Sequence, residues 1–301
     1  MSKRLRRFFT YQIVYFGARL LVVLAAALPR RAGRSLFGGL GALAYLILAK
    51  SRRVALANLR FIYGSTLTDK EIRRTALKVF TNLGRCGYDV ARLDRITPDG
   101  IENIVTVTGA DHLDAAMARG KGVIALSGHV GNWELLGAYW SMRGYRVNLL
   151  ATRMKDGRLE KLLSRIRRKA GLVVIERSSG LKDALRCLKR GEMLGILIDQ
   201  DTAVDSVVVD FLGRPAKTAV GPVKLALHTG AAIVPMVALG SDDGKYRIDV
   251  KQPLAVSTDR ARLTDSVEKC SKAVEAFIDV DPAQWVWMHK RWKSVASEVY
   301  S

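Results

Sequence analysis

The sequence predicts an α/β fold in which a mostly buried central sheet is flanked by helices. After about residue 100, short runs of β-branched and aliphatic residues alternate with segments of helical period. Several runs, among them Val123–Ser127, are apolar at nearly every position, as expected for strands covered on both faces. A composition of 49% hydrophobic and 26% charged residues in a chain of 301 is typical of a folded domain.

The alternating pattern is assigned element by element along the chain. A first amphipathic helix is predicted over Asp69–Leu93, because Thr68 and Glu71 form a T-x-x-E capping box at its start. The predicted strands are Ile104–Thr108, Val123–Ser127, Arg146–Ala151, Leu194–Asp199, Ser206–Phe211, Ala232–Leu239 and Tyr246–Val250. The predicted helices lie at about 111–118, 132–143, 158–170, 180–190, 220–229, 263–279 and 283–296. No repeat or linker interrupts residues 50–301, so we expect one domain there.

The N-terminal segment differs in charge from the rest of the chain. The first 68 residues contain twelve Lys or Arg and no Asp or Glu, whereas the whole chain has a net charge of +21. Two apolar runs, Phe8–Pro29 and Leu36–Ala49, lie between the basic clusters. The first run is about long enough to span a bilayer, and the second is shorter. We therefore expect residues 1–49 to be an N-terminal membrane anchor, either a single span or an interfacial hairpin.

Other interpretations of the N-terminal segment stay open at this point. A signal peptide has a similar basic start and apolar middle, but no convincing cleavage site of small residues follows. A hydrophobic helical hairpin within a soluble core is disfavoured by the basic flanks. A basic arm for DNA would be polar throughout, so we expect no nucleic acid partner. The positive charge still indicates an anionic partner. The alternation of basic clusters with apolar runs favours an anionic lipid surface as that partner.

Few of the common catalytic motifs are present. Cys86, Cys187 and Cys270 are too far apart for a disulfide framework, a zinc ribbon or a CxxC redox site. The sequence contains no Walker A loop, no HExxH and no GxSxG elbow. A metal site at His129 would need a third ligand nearby, and none is evident. We expect neither a metal ion nor a cofactor.

His129 is the main candidate for catalysis because of its setting. It follows the strand Val123–Ser127 in a Gly-His-Val-Gly turn, and a helix begins at about Asn132. Ligands bind outside the carboxyl ends of strands in open α/β sheets. Glu134, in the first helical turn, is expected to reach back to one ring nitrogen, fix the tautomer and leave the other nitrogen as a base. The alternative is a loop histidine satisfied by a local carboxylate.

The residues around His129 also carry a resemblance to a known family. The stretch Gly128–Glu134 resembles the H-x4-D/E signature of the lysophospholipid-acyltransferase superfamily, and its Glu form resembles the bacterial lipid A late acyltransferases. Four other segments are similar to that family in the expected order. They are Arg53–Arg60, Gly191–Asp201, Phe211–Pro222 and Pro282–Lys293.

The resemblance implies acyl transfer during lipopolysaccharide biosynthesis, at the cytoplasmic face of a bacterial inner membrane. The donor would be a thioester on acyl carrier protein, with acyl-CoA as an alternative, and the acceptor a hydroxyl of an anionic lipid A precursor. His129 would take the proton of that hydroxyl while Glu134 orients the ring. Backbone N–H groups of the Gly128–Gly131 turn, or an arginine, would stabilise the oxyanion.

The resemblance also implies further residues at the site, carried over position by position. Asn132, Arg168, Asp199 and Arg214 are assigned to substrate binding, Arg168 as the nearest member of a cluster of arginines and Arg214 as a phosphate clamp. Asp199 would otherwise cap a turn, the arginine cluster would be a solvated helix face, and Arg214 would close a turn. The tryptophans of the last matching segment are expected to serve packing and interface anchoring. They are Trp285, Trp287 and Trp292.

Two classes of alternative function remain. One is an acyltransferase of another lipid: a mannosylated inositol lipid, an ornithine lipid or a lysophospholipid. The other is a non-catalytic protein that binds anionic lipid or nucleic acid. The paired His129 and Glu134 disfavour the second class.

Overall fold

The computed structural model describes residues 3–178, 180–257, 259 and 262–300. The α/β fold is confirmed, with strands close to the predicted positions. The strands of the described chain are β1 (Val105–Thr108), β2 (Val123–Ser127), β3 (Val147–Ala151), β4 (Val173–Glu176), β5 (Met193–Leu197), β6 (Ser206–Phe211), β7 (Arg214–Ala219), β8 (Ala232–Gly240) and β9 (Tyr246–Val250).

The helices surround these strands on both faces of the sheet. They are α1 (Lys3–Ala27), α2 (Arg30–Ile47), α3 (Ala49–Tyr63), α4 (Asp69–Ala91), α5 (Pro98–Glu102), α6 (Ala110–Ala118), α7 (Trp133–Met142), α8 (Gly157–Lys169), α9 (Leu181–Lys189), α10 (Gly221–Thr229) and α11 (Leu263–Val280). The capping box at the start of α4 is present, with the Thr68 side chain accepting from the Glu71 N–H.

The central sheet has the strand order β1-β9-β8-β2-β5-β3-β4, and β6 pairs with β7 in a separate antiparallel hairpin. Neighbours in the central sheet are parallel except β8 and β9. Strand β2 is buried along its whole length. Its Ile124 and Leu126 belong to the core on one face, whereas Val123 and Ala125 belong to the core on the other. This explains the continuous apolar run, since both faces are covered.

Helix α2 packs directly against α4. A Cβ atom at Gly41 would overlap the Phe80 carbonyl oxygen, and one at Gly84 would overlap the carbonyl oxygen of Phe37. These glycines allow the two helix backbones their close approach. The Arg34 side chain of α2 forms a buried ion pair with Asp89 of α4. Residues 30–49 therefore share a packed interface with the chain that follows them.

A helix that spans a membrane needs about 20 mostly apolar residues. Within the described residues, no single helix combines the length and apolar character needed to cross a bilayer. The bent pair of α2 and α3, which meet at 89°, satisfies both criteria together by length and composition.

The predicted helix over residues 283–296 is wrong. Residues Pro282–Gln284 form a short 3-10 turn, and irregular chain follows. Trp285 and Trp287 are both buried although they are two residues apart, which one face of a helix cannot achieve. The expectation that these tryptophans anchor the protein at an interface is also wrong, because the exposed fractions of all three indoles are 1% or less.

Two strands were not predicted. Strand β4 has four residues and lies at the edge of the sheet, so its pattern is too short to recognise. Strand β7 contains Pro215 and Lys217, and it forms by pairing with β6 rather than through an apolar run of its own.

Candidate active site

The turn after β2 places His129 at the carboxyl edge of the sheet, as predicted. Two glycines allow this turn its tight path. A Cβ atom at Gly128 would lie 3.2 Å from the carboxyl carbon of Asp199. Gly131 has a φ of +60°, and a Cβ atom there would overlap the Ala238 carbonyl oxygen. Larger residues at either position would push the His129 turn away from its neighbours.

The His129 ring is paired with Asp199. The His129 Nδ1 lies 2.9 Å from Asp199 Oδ1, and the His129 backbone N–H donates to Asp199 Oδ2 at 2.7 Å. Asp199 follows β5, which is the parallel neighbour of β2, so the ends of the two strands bring the residues together. A carboxylate at Nδ1 favours the tautomer that leaves Nε2 free to act as a base.

A third residue, Trp285, completes this arrangement. Its indole N–H donates to Asp199 Oδ2 at 2.7 Å, and Asp199 is 2% exposed. Burial alone raises the pKa of the Asp199 carboxyl. The His129 ring, the indole and the backbone N–H outweigh that effect and hold the pKa well below its usual range. Asp199 therefore stays ionised and stabilises an imidazolium at His129.

The other nitrogen of His129 faces the open side of the site. Its Nε2 lies 3.4 Å from the side-chain nitrogen of Gln200, and the Trp133 ring packs edge-on against the imidazole at 5.0 Å between centroids. The His129 side chain is 24% exposed, so a substrate hydroxyl can reach Nε2.

A cavity of about 300 Å³ begins at His129 and extends beneath the sheet. Polar groups at its mouth include His129, Gln200, Glu134, Arg167 and Arg177. The remainder is apolar and lined by buried residues of β2, β3, β5, β8 and α7. Among them are Ala125, Trp140, Val147, Met193 and Met236. The shape suits a molecule with a reactive polar end and an unbranched apolar tail.

Comparison with known proteins identifies the family. A family model described as "Bacterial lipid A biosynthesis acyltransferase" matches residues 2–294. The chain belongs to this family. The resemblance seen in the sequence motifs is thereby confirmed, and the protein is an enzyme of a type that transfers acyl groups.

Relatives with assigned activities fall into two groups. A lipid A biosynthesis lauroyltransferase of Escherichia coli is 26% identical over 94% of this chain and 92% of its own length. A lipid A biosynthesis acyltransferase of Haemophilus influenzae is 24% identical over 92% of this chain and 86% of its own. A phosphatidylinositol mannoside acyltransferase of Mycobacterium tuberculosis is 29% identical over 71% of this chain and 69% of its own.

In this lipid A-type acyltransferase, the predicted contact between Glu134 and His129 is wrong. The Glu134 carboxylate forms a two-bond ion pair with Arg167 of α8, including a 2.8 Å bond from Arg167 Nε to Oε2. Glu134 is the second residue of α7, and its side chain extends sideways toward α8 rather than back over the turn. Asp199, rather than the predicted Glu134, is the carboxylate beside the His129 ring.

Within the arginine cluster of α8, Arg167 lines this cavity and Arg168 does not, so the assignment of Arg168 is corrected. Arg168 is exposed and lines an adjoining surface groove, which shares Thr152 and Glu160 with the cavity. One residue turns a helix by about 100°, so adjacent arginines face different surroundings. Burial lowers the pKa of the Arg167 guanidinium, but its pairing with Glu134 outweighs this and raises the pKa overall. Arg167 lies on the same face of α8 as Leu163, four residues earlier, which also lines the cavity.

The structure gives Asn132 and Arg214 other contacts. Asn132 caps α7: its side-chain oxygen accepts from the Leu135 N–H at 3.0 Å, and its exposed fraction is 1%. Arg214 is exposed on the β6–β7 hairpin, donates to the Phe61 carbonyl at 3.2 Å and stacks on the Phe61 ring. Neither residue lines the cavity at His129.

Backbone groups of the turn are largely engaged within the fold. The N–H groups of Gly131 and Asn132 donate to the carbonyls of Gln284 and Ala238, both at 2.9 Å, and the His129 N–H donates to Asp199. These three N–H groups are already engaged, and an arginine is the other kind of oxyanion donor that the sequence left open. Arg177 lies at the cavity mouth, where burial lowers the pKa of its guanidinium and Asp199 opposes that shift. Neither Arg177 nor Gln200 was identified from the sequence.

Proposed function

We propose that this protein is a membrane-associated O-acyltransferase that moves a fatty acyl chain from an acyl thioester to a hydroxyl of a lipid A precursor. The observation that carries the proposal is the chain of contacts from Trp285 through Asp199 to His129, which opens onto a cavity with an apolar interior. A hydroxyl at Nε2 and an acyl chain in the cavity would bring the two reactants together at one point.

The reaction follows from these contacts. His129 Nε2 accepts the proton of the acceptor hydroxyl while its oxygen attacks the thioester carbonyl carbon. The imidazolium that forms is stabilised by the ionised Asp199, and the Arg177 guanidinium stabilises the oxyanion. When the intermediate collapses, the carbon–sulfur bond breaks, the thiolate leaves and takes the proton from His129, and the ester is released. No covalent acyl-enzyme is required.

Charge and chain coverage support the choice of substrates. A net charge of +21 attracts both an acidic carrier protein, as donor, and a phosphorylated acceptor. The lipid A relatives match more than nine-tenths of this chain, whereas the mannoside acyltransferase matches 71% of it. The second candidate acceptor is a mannosylated inositol lipid, favoured by the 29% identity to the mannoside enzyme.

Attachment to a membrane is supported by the surface of the first two helices. Helices α1 and α2 expose large apolar side chains, and basic residues flank them without acidic ones. Examples are Ile13, Phe16 and Leu20 on α1, and Leu43 and Leu46 on α2. We place the enzyme at the cytoplasmic face of a bacterial inner membrane, where acyl carrier protein is available.

The proposal is tested by measuring acyl transfer catalysed by the purified protein. Acyl carrier protein and CoA thioesters are each offered with a lipid A precursor and, separately, with a mannosylated inositol lipid, and products are identified by mass spectrometry. We expect an ester on the lipid A precursor, and a decrease of about 10²–10⁴-fold in His129→Ala. Transfer to neither lipid, or full activity in His129→Ala, would contradict the proposal.

A further inference from the structure

A second apolar recess lies on the other side of α8 from the cavity at His129. It is an open groove of about 500 Å³ whose walls come from α1, α2, α4 and α8. All the side chains that line it are apolar, and glycines contribute the rest. Met154 and Leu163 line both the groove and the cavity, so the two recesses share a wall.

The groove has the length of an alkyl chain in one leaflet. Its wall on α4 extends from Phe80 to Ala91, twelve residues that span about 16 Å of helix. That is about half of the 30 Å hydrocarbon thickness of a bilayer. Helices α2 and α4 are antiparallel, with Gly41 opposite Phe80, so Leu48, which follows α2, lies toward the Phe80 end.

One part of the groove approaches the catalytic turn. Met288 lines the groove and lies two residues after Val286, whose N–H donates to the His129 carbonyl at 3.1 Å. Cationic residues are close in sequence to three groove residues near this part. They are Lys50 after Leu48, Lys155 after Met154, and Lys290 after Met288.

The walls of the groove are held to the body of the enzyme by arginines. Arg158 of α8 donates to the Gln12 side chain of α1 at 2.6 Å and stacks on the Tyr15 ring. Arg92, which caps α4, donates to the carbonyls of Ala25 and Leu28 at 2.6 and 3.0 Å. The groove is therefore part of the folded structure rather than a gap beside a loose helix.

We propose that this groove binds one alkyl chain of the lipid acceptor, so that the acceptor hydroxyl is held at His129 while the donor chain occupies the cavity. This inference rests on the proposed function. The cavity runs into the protein core and suits a chain delivered by a carrier, whereas the groove opens beside the exposed apolar faces of α1 and α2. A lipid that stays in the membrane can therefore extend a chain into the groove.

A glycine in the groove offers a direct test. An added Cβ at Gly87 meets nothing within 4 Å, although Gly87 lines the groove. Gly87→Trp should therefore fill the groove without displacing the backbone. Gly39 of α2 is the matched control, because a Cβ there also meets nothing within 4 Å and Gly39 does not line the groove.

The two variants are compared by steady-state kinetics on the full-length protein with a membrane-embedded lipid A precursor. Gly87→Trp should raise the KM for the acceptor by about tenfold or more, since each excluded methylene weakens binding. The KM for the thioester donor should stay within about twofold, and Gly39→Trp should resemble the unmodified enzyme. Equal acceptor KM values in both variants would overturn the inference, and so would a matching rise in the donor KM.

Photo-crosslinking locates the chain directly. A lipid A precursor with a diazirine at the end of one acyl chain should label peptides of α2 and α4, and Gly87→Trp should abolish that label. Labelling of the His129 cavity instead, or a crosslink between two copies of the protein in place of the lipid adduct, would overturn the inference. If the unmodified enzyme transfers no acyl group to any precursor, the proposed function fails. If it does transfer and the groove is never labelled, only the inference fails.

Discussion

Two buried carboxylates lie close to the catalytic turn and have different partners. Asp199, 70 residues after His129 in sequence, accepts from the imidazole, whereas Glu134, five residues after it, pairs with Arg167. Both are nearly excluded from solvent, at 2% and 5% exposure. The difference shows that strand order, rather than sequence proximity, selects the partner of the base. Under the proposed function, Asp199 would serve proton transfer through His129, and Glu134 would hold the Arg167 cation in place.

The largest effect should follow a change to Asp199. In Asp199→Asn, the amide removes the negative charge that stabilises the imidazolium and allows the wrong tautomer. We expect kcat to fall by about 10²–10⁴-fold, together with a lower thermal unfolding midpoint, because the ionised carboxylate also accepts from the Trp285 indole and the His129 N–H. Asp201→Asn is the control, since Asp201 is equally buried but accepts from Ser294 instead. A kcat for Asp199→Asn within threefold of that control would show that Asp199 does not serve the base.

A change to Glu134 should have a smaller effect on activity and a larger one on stability. In Glu134→Gln, the Arg167 charge loses its partner in a largely buried position. The free energy of unfolding should decrease by about 3 kcal/mol, measured by urea denaturation. We expect kcat to fall about 10- to 100-fold because Arg167 shifts at the cavity mouth.

A double substitution separates pairing from proton transfer. Combining Glu134→Gln with Arg167→Gln removes both charges, so most of the lost stability should return while kcat stays low. If Glu134→Gln alone matches Asp199→Asn in kcat and leaves stability unchanged, then Glu134 acts on the ring during turnover. The distinction between the two carboxylates would then be wrong.

Removal of the indole N–H tests how far the Asp199 network extends. Trp285→Phe deletes the 2.7 Å hydrogen bond to Asp199 but retains a ring that packs against Phe211 and Trp287. We expect kcat to fall between about threefold and tenfold, with the KM of both substrates unchanged, since one of the donors to the carboxylate is lost. If the free energy of unfolding decreases and kcat does not, then Trp285 serves packing alone.

Local features of the site could be predicted from the sequence. A continuous apolar strand, a glycine-flanked histidine and a polar helix start are contiguous in the chain, so the position of His129 at the edge of the sheet follows from them. The capping box of α4 is equally local and is present as predicted.

Non-local features could not be predicted in the same way. The pairing of His129 with Asp199 requires β5 to lie beside β2, and strand order is absent from any single segment. The choice between Arg167 and Arg168 depends on the rotational phase of α8, which a cluster of arginines leaves open. Trp285 reaches Asp199 because its segment is extended, whereas the aromatic spacing was interpreted as a helix.

The smallest expected effect is on the free energy of unfolding at acid pH, to which His289 and Asp199 should contribute in different pH ranges. Burial lowers the pKa of His289 below 6.5, an effect opposed by Asp199 and reinforced by Lys293 and His129. His289 is therefore neutral in the folded protein at pH values where the unfolded chain already binds a proton. The free energy of unfolding decreases as pH falls below about 6.5, because the unfolded state binds more protons.

The pKa of Asp199 is also lower in the folded protein than in the unfolded chain, but its effect on stability falls in a more acidic pH range. Its folded pKa is depressed, so its contribution is intact above the unfolded value of 3.8 and is lost as pH falls further toward the folded value. Between pH 7 and 5, the acid-dependent decrease should therefore come from His289 and not from Asp199. We expect His289→Gln to make the fall of Tm over this range shallower, measured by scanning calorimetry. Asp199→Asn should leave that slope unchanged, and a flattened slope in Asp199→Asn would mean that the two groups titrate as one unit.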